Sequence, residues 1–207
     1  SARTAMIYVG ANDGMLHGFD AATGVEKFAY IPVSAYPKLA KLTAPEYQHS
    51  YIVDGSPRVL DAYLSGAWKS ILVGSTAAGG RSAFAIDVTN PDTLGASNFL
   101  WEFATSAATT DKLGVAMSQP VIARVAAGGK WVAIFGNGYN SGDTVKLLVV
   151  DLETGALIKA INTGLSGADN GLATPVPVDV NNDRVTDFVY AGDLKGNLWK
   201  FDLRGVD

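Results

Sequence analysis

The residues best placed to do chemistry lie near the end of the chain, in Asp179-Val180-Asn181-Asn182-Asp183-Arg184-Val185-Thr186-Asp187. Oxygen-bearing side chains occupy positions 1, 3, 5 and 9 of this run. Odd spacing lets a tight loop turn every second side chain toward one point. Three carboxylates so close together repel one another unless a positive charge sits among them. Hard oxygens converging in this way suit Ca²⁺, which accepts about six to eight of them. The expectation is a calcium site with side-chain ligands from Asp179, Asn181, Asp183 and Asp187, and the carbonyl of Val185 at position 7. Mg²⁺ fits less well, because it demands a tighter octahedron and keeps its waters.

The loop departs from the EF-hand pattern. Position 6 is Arg184 where glycine makes the sharp turn, and position 12 is Tyr190 where a bidentate glutamate is usual. Asp187 would have to supply the missing carboxylate. An Asn/Asp-rich hairpin turn without metal is the plainer alternative, since such side chains bond their own backbone. With three carboxylates, a dissociation constant of roughly 10⁻⁷ to 10⁻⁴ M is ordinary.

The elements that must position this loop follow a repeat. Met6–Gly10, the turn Ala11-Asn12-Asp13-Gly14, Met15–Asp20, the turn Ala21-Ala22-Thr23-Gly24 and Val25–Ile31 read as strand, turn, strand, turn, strand. The module returns around Ile71–Gly74 with Ser82–Asp87, Val132–Gly136 with Lys146–Asp151, and Phe188–Gly192 with Asn197–Asp202. A further strand, opened by Pro57, Pro120 or Pro175, precedes three of the four copies. Asp20, Asp87, Asp151 and Asp202 mark the period, and four antiparallel strands over roughly 50 to 65 residues make a propeller blade. The fold expected is all-β: a β-propeller of about three to four four-stranded blades, part of a larger ring, since rings close with roughly four to eight. The blades fall near 1–33 (partial), 51–104, 117–163 and 173–207 of a single 1–207 segment. Completion of the last blade by the Met6–Ile31 strands is the alternative. The insertion 34–50 holds a helix near 35–42, limited by Pro37 and Pro45 to about two turns, and 104–118 reads as a surface loop.

Composition narrows the function classes. Of 207 residues, 48% are hydrophobic and 17% charged, which excludes a disordered chain. A net charge of −4 and a pI near 5.1 argue against nucleic acid or an anionic membrane as the main partner. The absence of cysteine removes disulfides, thiol nucleophiles and thiolate metal sites. No apolar run approaches the about 18 residues that span a bilayer, and the amino terminus has no signal-peptide pattern. Beginning at Ser1, the chain reads as a mature or excised piece of something longer.

Other candidates are weaker. His17 and His49 are the only histidines and fall in different modules, so a two-histidine metal site or a Ser-His-Asp triad is disfavoured. The run 74–80 has the glycines of a phosphate loop without its Gly-Lys-Ser/Thr ending. Trp68, Trp101, Trp131 and Trp199 recur near equivalent strand positions and read as packing between blades. Asp13, Asp143 and Asp169 lie in turns where a second cation is conceivable, while Asp20 and Asp151 read as turn-fixing residues.

Four runs carry a family resemblance: VGANDGMLHGFDAATG, AYPKLAKLTAPEYQHSYIVDGSP, WKSILVGSTAAGGRSAFAIDVTNP and PVDVNNDRVTDFVYAGDLKGNLWKFDL. They resemble the carboxy-terminal propeller of the PilY/PilC family, large tip-associated proteins of bacterial type IV pili. The resemblance spans nearly the whole chain and implies a non-enzymatic domain. It implies a calcium loop on Asp179, Asn181, Asp183, Val185 and Asp187 that controls pilus extension and retraction, and so fimbrium biogenesis and twitching motility. It also implies adhesion, with pilins or minor pilins and host-surface ligands as partners, at the pilus tip or bacterial surface after export through the periplasm. The chain is much shorter than the family's whole carboxy-terminal domain, and the family's large amino-terminal region is absent. Two other classes stay open. The Asp-x-x-Thr-Gly turns also look like those of quinoprotein dehydrogenases, although the adjacent cysteines common there are missing. A metal-free outer-membrane assembly scaffold would use the same repeats.

Overall fold

Asp-x-x-Thr-Gly turns set the pitch of the molecule. In the first, Asp20 Oδ1 accepts the amides of Ala22 (2.9 Å) and Thr23 (3.0 Å), and Gly24 takes φ +73°. In the third module Asp151 Oδ1 accepts Glu153 and Thr154 in the same way, with Gly155 again at +73°. A side-chain acceptor followed by a residue free to adopt positive φ reverses the chain within a few residues. These aspartates are therefore turn-fixing, as their position at strand ends suggests.

The structure, a computed structural model, describes residues 3–104 and 112–206. Of the surface loop expected at 104–118, residues 105–111 lie outside them, and Leu113, Ala116 and Ser118 in the described part are buried rather than on the surface. Among the described residues, fourteen strands form four antiparallel sheets. The first holds β1 (Met6–Gly10), β2 (Leu16–Asp20) and β3 (Glu26–Tyr30). The second holds β4 (Arg58–Leu64), β5 (Ala67–Ser75), β6 (Ser82–Asp87) and β7 (Phe99–Ala104). The third holds β8 (Val121–Arg124), β9 (Trp131–Gly136), β10 (Thr144–Asp151) and β11 (Leu157–Ser166). The last holds β12 (Val176–Val178), β13 (Phe188–Gly192) and β14 (Leu198–Asp202). Strands β2, β6, β10 and β14 end in the four period-marking aspartates. By that alignment the first sheet lacks a leading strand and the last a fourth one. The architecture is the expected all-β propeller, with one short helix, α1 (Tyr36–Leu39), in the insertion.

Burial explains why the strands read differently in sequence. β6, β9 and β10 are covered on both faces, so their sequences are near-continuous small and apolar runs. β1 is covered on one face and alternates half-buried with exposed. Each successive pair of sheets encloses its own apolar layer. Leu16, Leu72 and Phe84 pack between the first and second, and Trp101, Phe135 and Leu148 between the second and third. Leu147, Val189 and Phe201 pack between the third and last. Among the described residues no such layer joins the last sheet to the first. Ile7 and Leu198, 54% and 77% exposed, mark the two outward faces. The sheets form a fan and the Met6–Ile31 strands do not complete the last one.

The insertion is tied down by charge. Glu102 accepts the amides of Val33 (2.7 Å) and Ser34 (3.1 Å) at the entry to the helical turn, and Lys38 Nζ donates to the carbonyls of Tyr51 and Gly79. Gly79 itself is required by contact, because a Cβ there would lie 2.0 Å from the Ile52 carbonyl oxygen. That explains the glycines of 74–80 without a phosphate. Three tryptophans pack at least partly between strands, but Trp68 does not: it is 64% exposed and meets Tyr63 and Trp131 edge-on. Strand periodicity alone assigns a face, and at the β4–β5 hairpin that face is open to solvent.

Candidate metal centre

The nine-residue run forms the connection between β12 and β13, and its geometry is a cage of side-chain-to-backbone bonds. Asp179 Oδ1 accepts the amides of Asn181 (3.2 Å) and Asn182 (2.7 Å), and its Oδ2 accepts that of Arg184 (2.7 Å). Asn181 Oδ1 accepts the Asp183 amide at 3.0 Å, and Asp183 Oδ1 the Val185 amide at 2.8 Å. Asn181 Nδ2 donates to Asp183 Oδ2 at 3.0 Å. Asp187 closes the loop by accepting the Val180 amide on Oδ2 at 2.8 Å. Asn182 and Arg184 sit at φ +62° and +67°. The reversal that glycine makes in an EF-hand is here forced on two residues with side chains.

The backbone fixes this cage to three elements. The Asp187 amide donates to the Val178 carbonyl (2.9 Å), and the Asp187 carbonyl accepts from Leu203 (2.8 Å), just past β14. The Thr186 amide donates to the Arg124 carbonyl (2.7 Å) at the end of β8, in the preceding sheet. Positions 8 and 9 are thus set by two blades at once.

Among the described residues no three histidine or acidic side chains gather closely enough to hold a metal, so the structure does not bring Asp179, Asp183 and Asp187 to one point as their odd spacing suggested. An ionised carboxylate has about four acceptor sites. Asp179 uses three, Asp183 two and Asp187 one on the loop's own donors. The Val185 carbonyl accepts no bond from the described residues. Asp187 is the decisive side chain. It is 8% exposed, yet a single backbone amide is the only hydrogen-bond donor its carboxylate meets among the described residues. A buried carboxylate with so little compensation is costly unless a positive charge accompanies it. Asp187 is therefore the one ligand candidate whose surroundings suit a hard cation; Asp179, Asn181, Asp183 and the Val185 carbonyl are the other residues that would have to join it. Replacing Arg184 with glycine removes both the strained φ and a neighbouring positive charge. We expect Arg184→Gly to unfold no earlier than the parent and to bind Ca²⁺ about two- to fivefold more tightly, as read by calorimetry.

The other turn aspartates are already partnered. Asp143 Oδ2 meets Lys146 Nζ at 2.7 Å, Asp169 accepts the Tyr139 hydroxyl, and Asp13 accepts from His17. Sequence reading missed the use of His17, whose ring lies between two carboxylates: Nε2 is 2.9 Å from Asp13 and Nδ1 2.6 Å from Glu26. Both ring nitrogens face carboxylates, which leaves neither turned toward a metal or a nucleophile. The hydrogen bond to Glu26, with further help from Asp13, raises its pKa above the ordinary value of 6.5. A raised pKa means that this stabilisation is complete below pH 6.5 and is lost as pH rises through the folded-state value. The melting temperature should therefore fall between pH 6 and pH 8, and His17→Gln should flatten that slope.

The family model of the PilY1 beta-propeller domain matches residues 1–207. The chain belongs to the PilY1 β-propeller family. The type IV pilus biogenesis factor PilY1 of Pseudomonas aeruginosa (strain UCBPP-PA14) is 48% identical over 208 residues, covering 98% of the chain and 17% of that protein. The chain therefore spans about a sixth of the length of that PilY1. The crystal structure of the Pseudomonas aeruginosa PilY1 C-terminal domain superposes with a TM-score of 0.81 at 46% identity, over 98% of the chain and 39% of that domain. A quinohemoprotein alcohol dehydrogenase from Pseudomonas putida matches 97% of the chain and 32% of its own length with a TM-score of 0.55, at 16% identity. That likeness is one of fold alone. No helix among the described residues is long and apolar enough to cross a membrane.

Proposed function

We propose that this domain is a calcium-binding regulatory propeller of a type IV pilus biogenesis protein, a non-enzymatic part working at the pilus tip or cell surface. The observation that carries the metal reading is Asp187, a nearly buried carboxylate with one hydrogen bond, at a point where two blades and the strand exit meet. Its relatives' role as pilus biogenesis factors supports the setting. A bound Ca²⁺ would supply positive charge among the three carboxylates. The protein's own contribution is to hold position 1 and position 9 at a fixed span, using β12 and β13 as the rigid frame. Because Thr186 and Asp187 bond to Arg124 and Leu203, a change in loop order passes to the preceding blade and to the end of β14. Pilins or minor pilins that bind one arrangement better than the other would then sense the cation. Control of pilus extension and retraction, and adhesion to surfaces, are the outputs this reading assigns.

Calorimetry with Ca²⁺ and then Mg²⁺ tests the proposal. Ca²⁺ should bind one site with a dissociation constant between roughly 10⁻⁷ and 10⁻⁴ M, and Mg²⁺ at least tenfold more weakly. Absence of a calcium isotherm would remove the reading.

A further inference from the structure

The chain's only two histidines, His17 and His49, belong to different modules yet meet the same turn, residues 11–14 between β1 and β2. Asp13 Oδ2 lies 2.9 Å from His17 Nε2, and Asp13 Oδ1 accepts the Met15 amide at 3.0 Å, which fixes the turn. Asn12 reaches toward the insertion instead. Its Oδ1 accepts the Ile52 amide at 3.1 Å, and its Nδ2 lies 3.4 Å from His49 Nε2. Gly14, at φ +101°, is buried where a Cβ would collide with Leu39 Cδ2 of α1. Ile52 in turn belongs to the small apolar cluster that holds Ala35, Val53 and Leu42. This turn is therefore the seat on which the insertion rests against the first sheet.

His17 ties the seat to β3, because its Nδ1 lies 2.6 Å from Glu26 Oε1 while Phe19 stacks on the ring at 5.7 Å. An imidazolium donates from both nitrogens and satisfies both carboxylates, whereas a neutral ring has a single N–H. Loss of the proton leaves one carboxylate facing a ring lone pair, and that contact opens. The Glu26 contact is the shorter of the two, so the remaining proton stays on Nδ1 and Asp13 is let go. The charges acting on the ring are those of Glu26 and Asp13. Lys27, beside Glu26, is committed to Asp92 at 2.9 Å. β1 carries no charged side chain, and its Tyr8 pairs with Gly18. On the insertion, Lys38 donates to the Tyr51 and Gly79 carbonyls, while Lys41 and Glu46 line a hollow with His49. We propose that His17 is a proton-operated latch: protonated, it holds Asp13 and keeps the turn closed on the insertion; neutral, it keeps Glu26 and releases Asp13, so the insertion loosens from the first sheet. Because the folded-state pKa lies above 6.5, the latch is closed below that pH and opens as pH rises through the folded-state value. Asp13 and Glu26 are each 45% exposed, which keeps the effect to a factor of a few and makes it sensitive to salt.

Nitrogen-15 spectra of the histidine rings in the purified protein, recorded from about pH 5 to about pH 9, test the latch together with amide hydrogen exchange. The neutral His17 ring should carry its proton on Nδ1, the reverse of the form a free histidine side chain favours in water. Once His17 is neutral, the Ile52 amide should exchange about two- to fivefold faster, after correction for the intrinsic pH dependence of exchange. Glu26→Gln should reverse the choice. With Asp13 then the only carboxylate at the ring, the neutral form donates Nε2–H to it, and Ile52 protection should no longer fall with pH. His49→Gln should leave the pH response in place. A parent whose neutral His17 is protonated on Nε2 overturns the proposal, as does Ile52 protection that does not follow the His17 midpoint. A response that survives Glu26→Gln unchanged also overturns it, and loss of the response in His49→Gln does so by assigning the effect to the other histidine.

Discussion

Asp187→Ala is expected to abolish the response of this domain to calcium. At free Ca²⁺ about a hundredfold above the dissociation constant, binding to the folded state alone adds about 2.7 kcal/mol of stability. For a chain of 207 residues, each kcal/mol moves the melting temperature by roughly 2–4 °C. The parent should therefore melt about 5–11 °C higher in saturating Ca²⁺ than in chelator, and Asp187→Ala should show no difference between the two. The apo protein requires separate treatment. Alanine removes a buried charge, which favours folding, but it also orphans the Val180 amide, which opposes it. Asp187→Asn separates these effects, because its side-chain oxygen can still accept that amide while the charge is gone. Its apo melting temperature should be at or above the parent's, again with no calcium shift. A persistent calcium shift in Asp187→Ala would rule out this carboxylate as a ligand.

The parts of this fold legible in sequence are those that depend on near neighbours. Each strand-ending aspartate bonds amides two or three residues on, so Asp20 and Asp151 announce their turns directly. The loop 179–187 is local in the same sense. What stayed hidden depends on how distant strands pair. His17 meets Glu26 only because β2 and β3 pair with an irregularity after Gly18, and no spacing in the sequence announces that shift. The bond from Thr186 to Arg124 joins two blades and gives no local pattern. Trp68 and Trp101 look alike in sequence, and only the neighbouring blade separates them: one is covered by it and the other is not.

Trp101 is where that neighbouring blade matters most, and Trp101→Ala is expected to be the most destabilising single change considered. The side chain is 6% exposed and lies between the second and third sheets, donating Nε1 to the Leu152 carbonyl at 2.9 Å. Truncation of such a tryptophan costs about 3–5 kcal/mol and leaves a buried carbonyl without its donor. Against a total stability of about 5–15 kcal/mol, that is a large fraction. The turn facing it provides an internal comparison. Gly24 and Gly155 occupy the same position in the same kind of turn, both at φ +73°. A Cβ on Gly24 meets nothing within 4 Å, whereas one on Gly155 would fall 2.5 Å from Trp101 Cγ. Gly24→Ala should therefore cost about 1 kcal/mol, the strain of the left-handed backbone alone. Gly155→Ala should cost about 2–4 kcal/mol, because the tryptophan must move as well. In a Trp101→Ala background the added cost of Gly155→Ala should shrink toward that of Gly24→Ala, since the two residues share one contact. Equal costs for the two glycines in urea unfolding would show that Trp101 does not press on Gly155, and the packing assigned to the interface between these blades would be wrong.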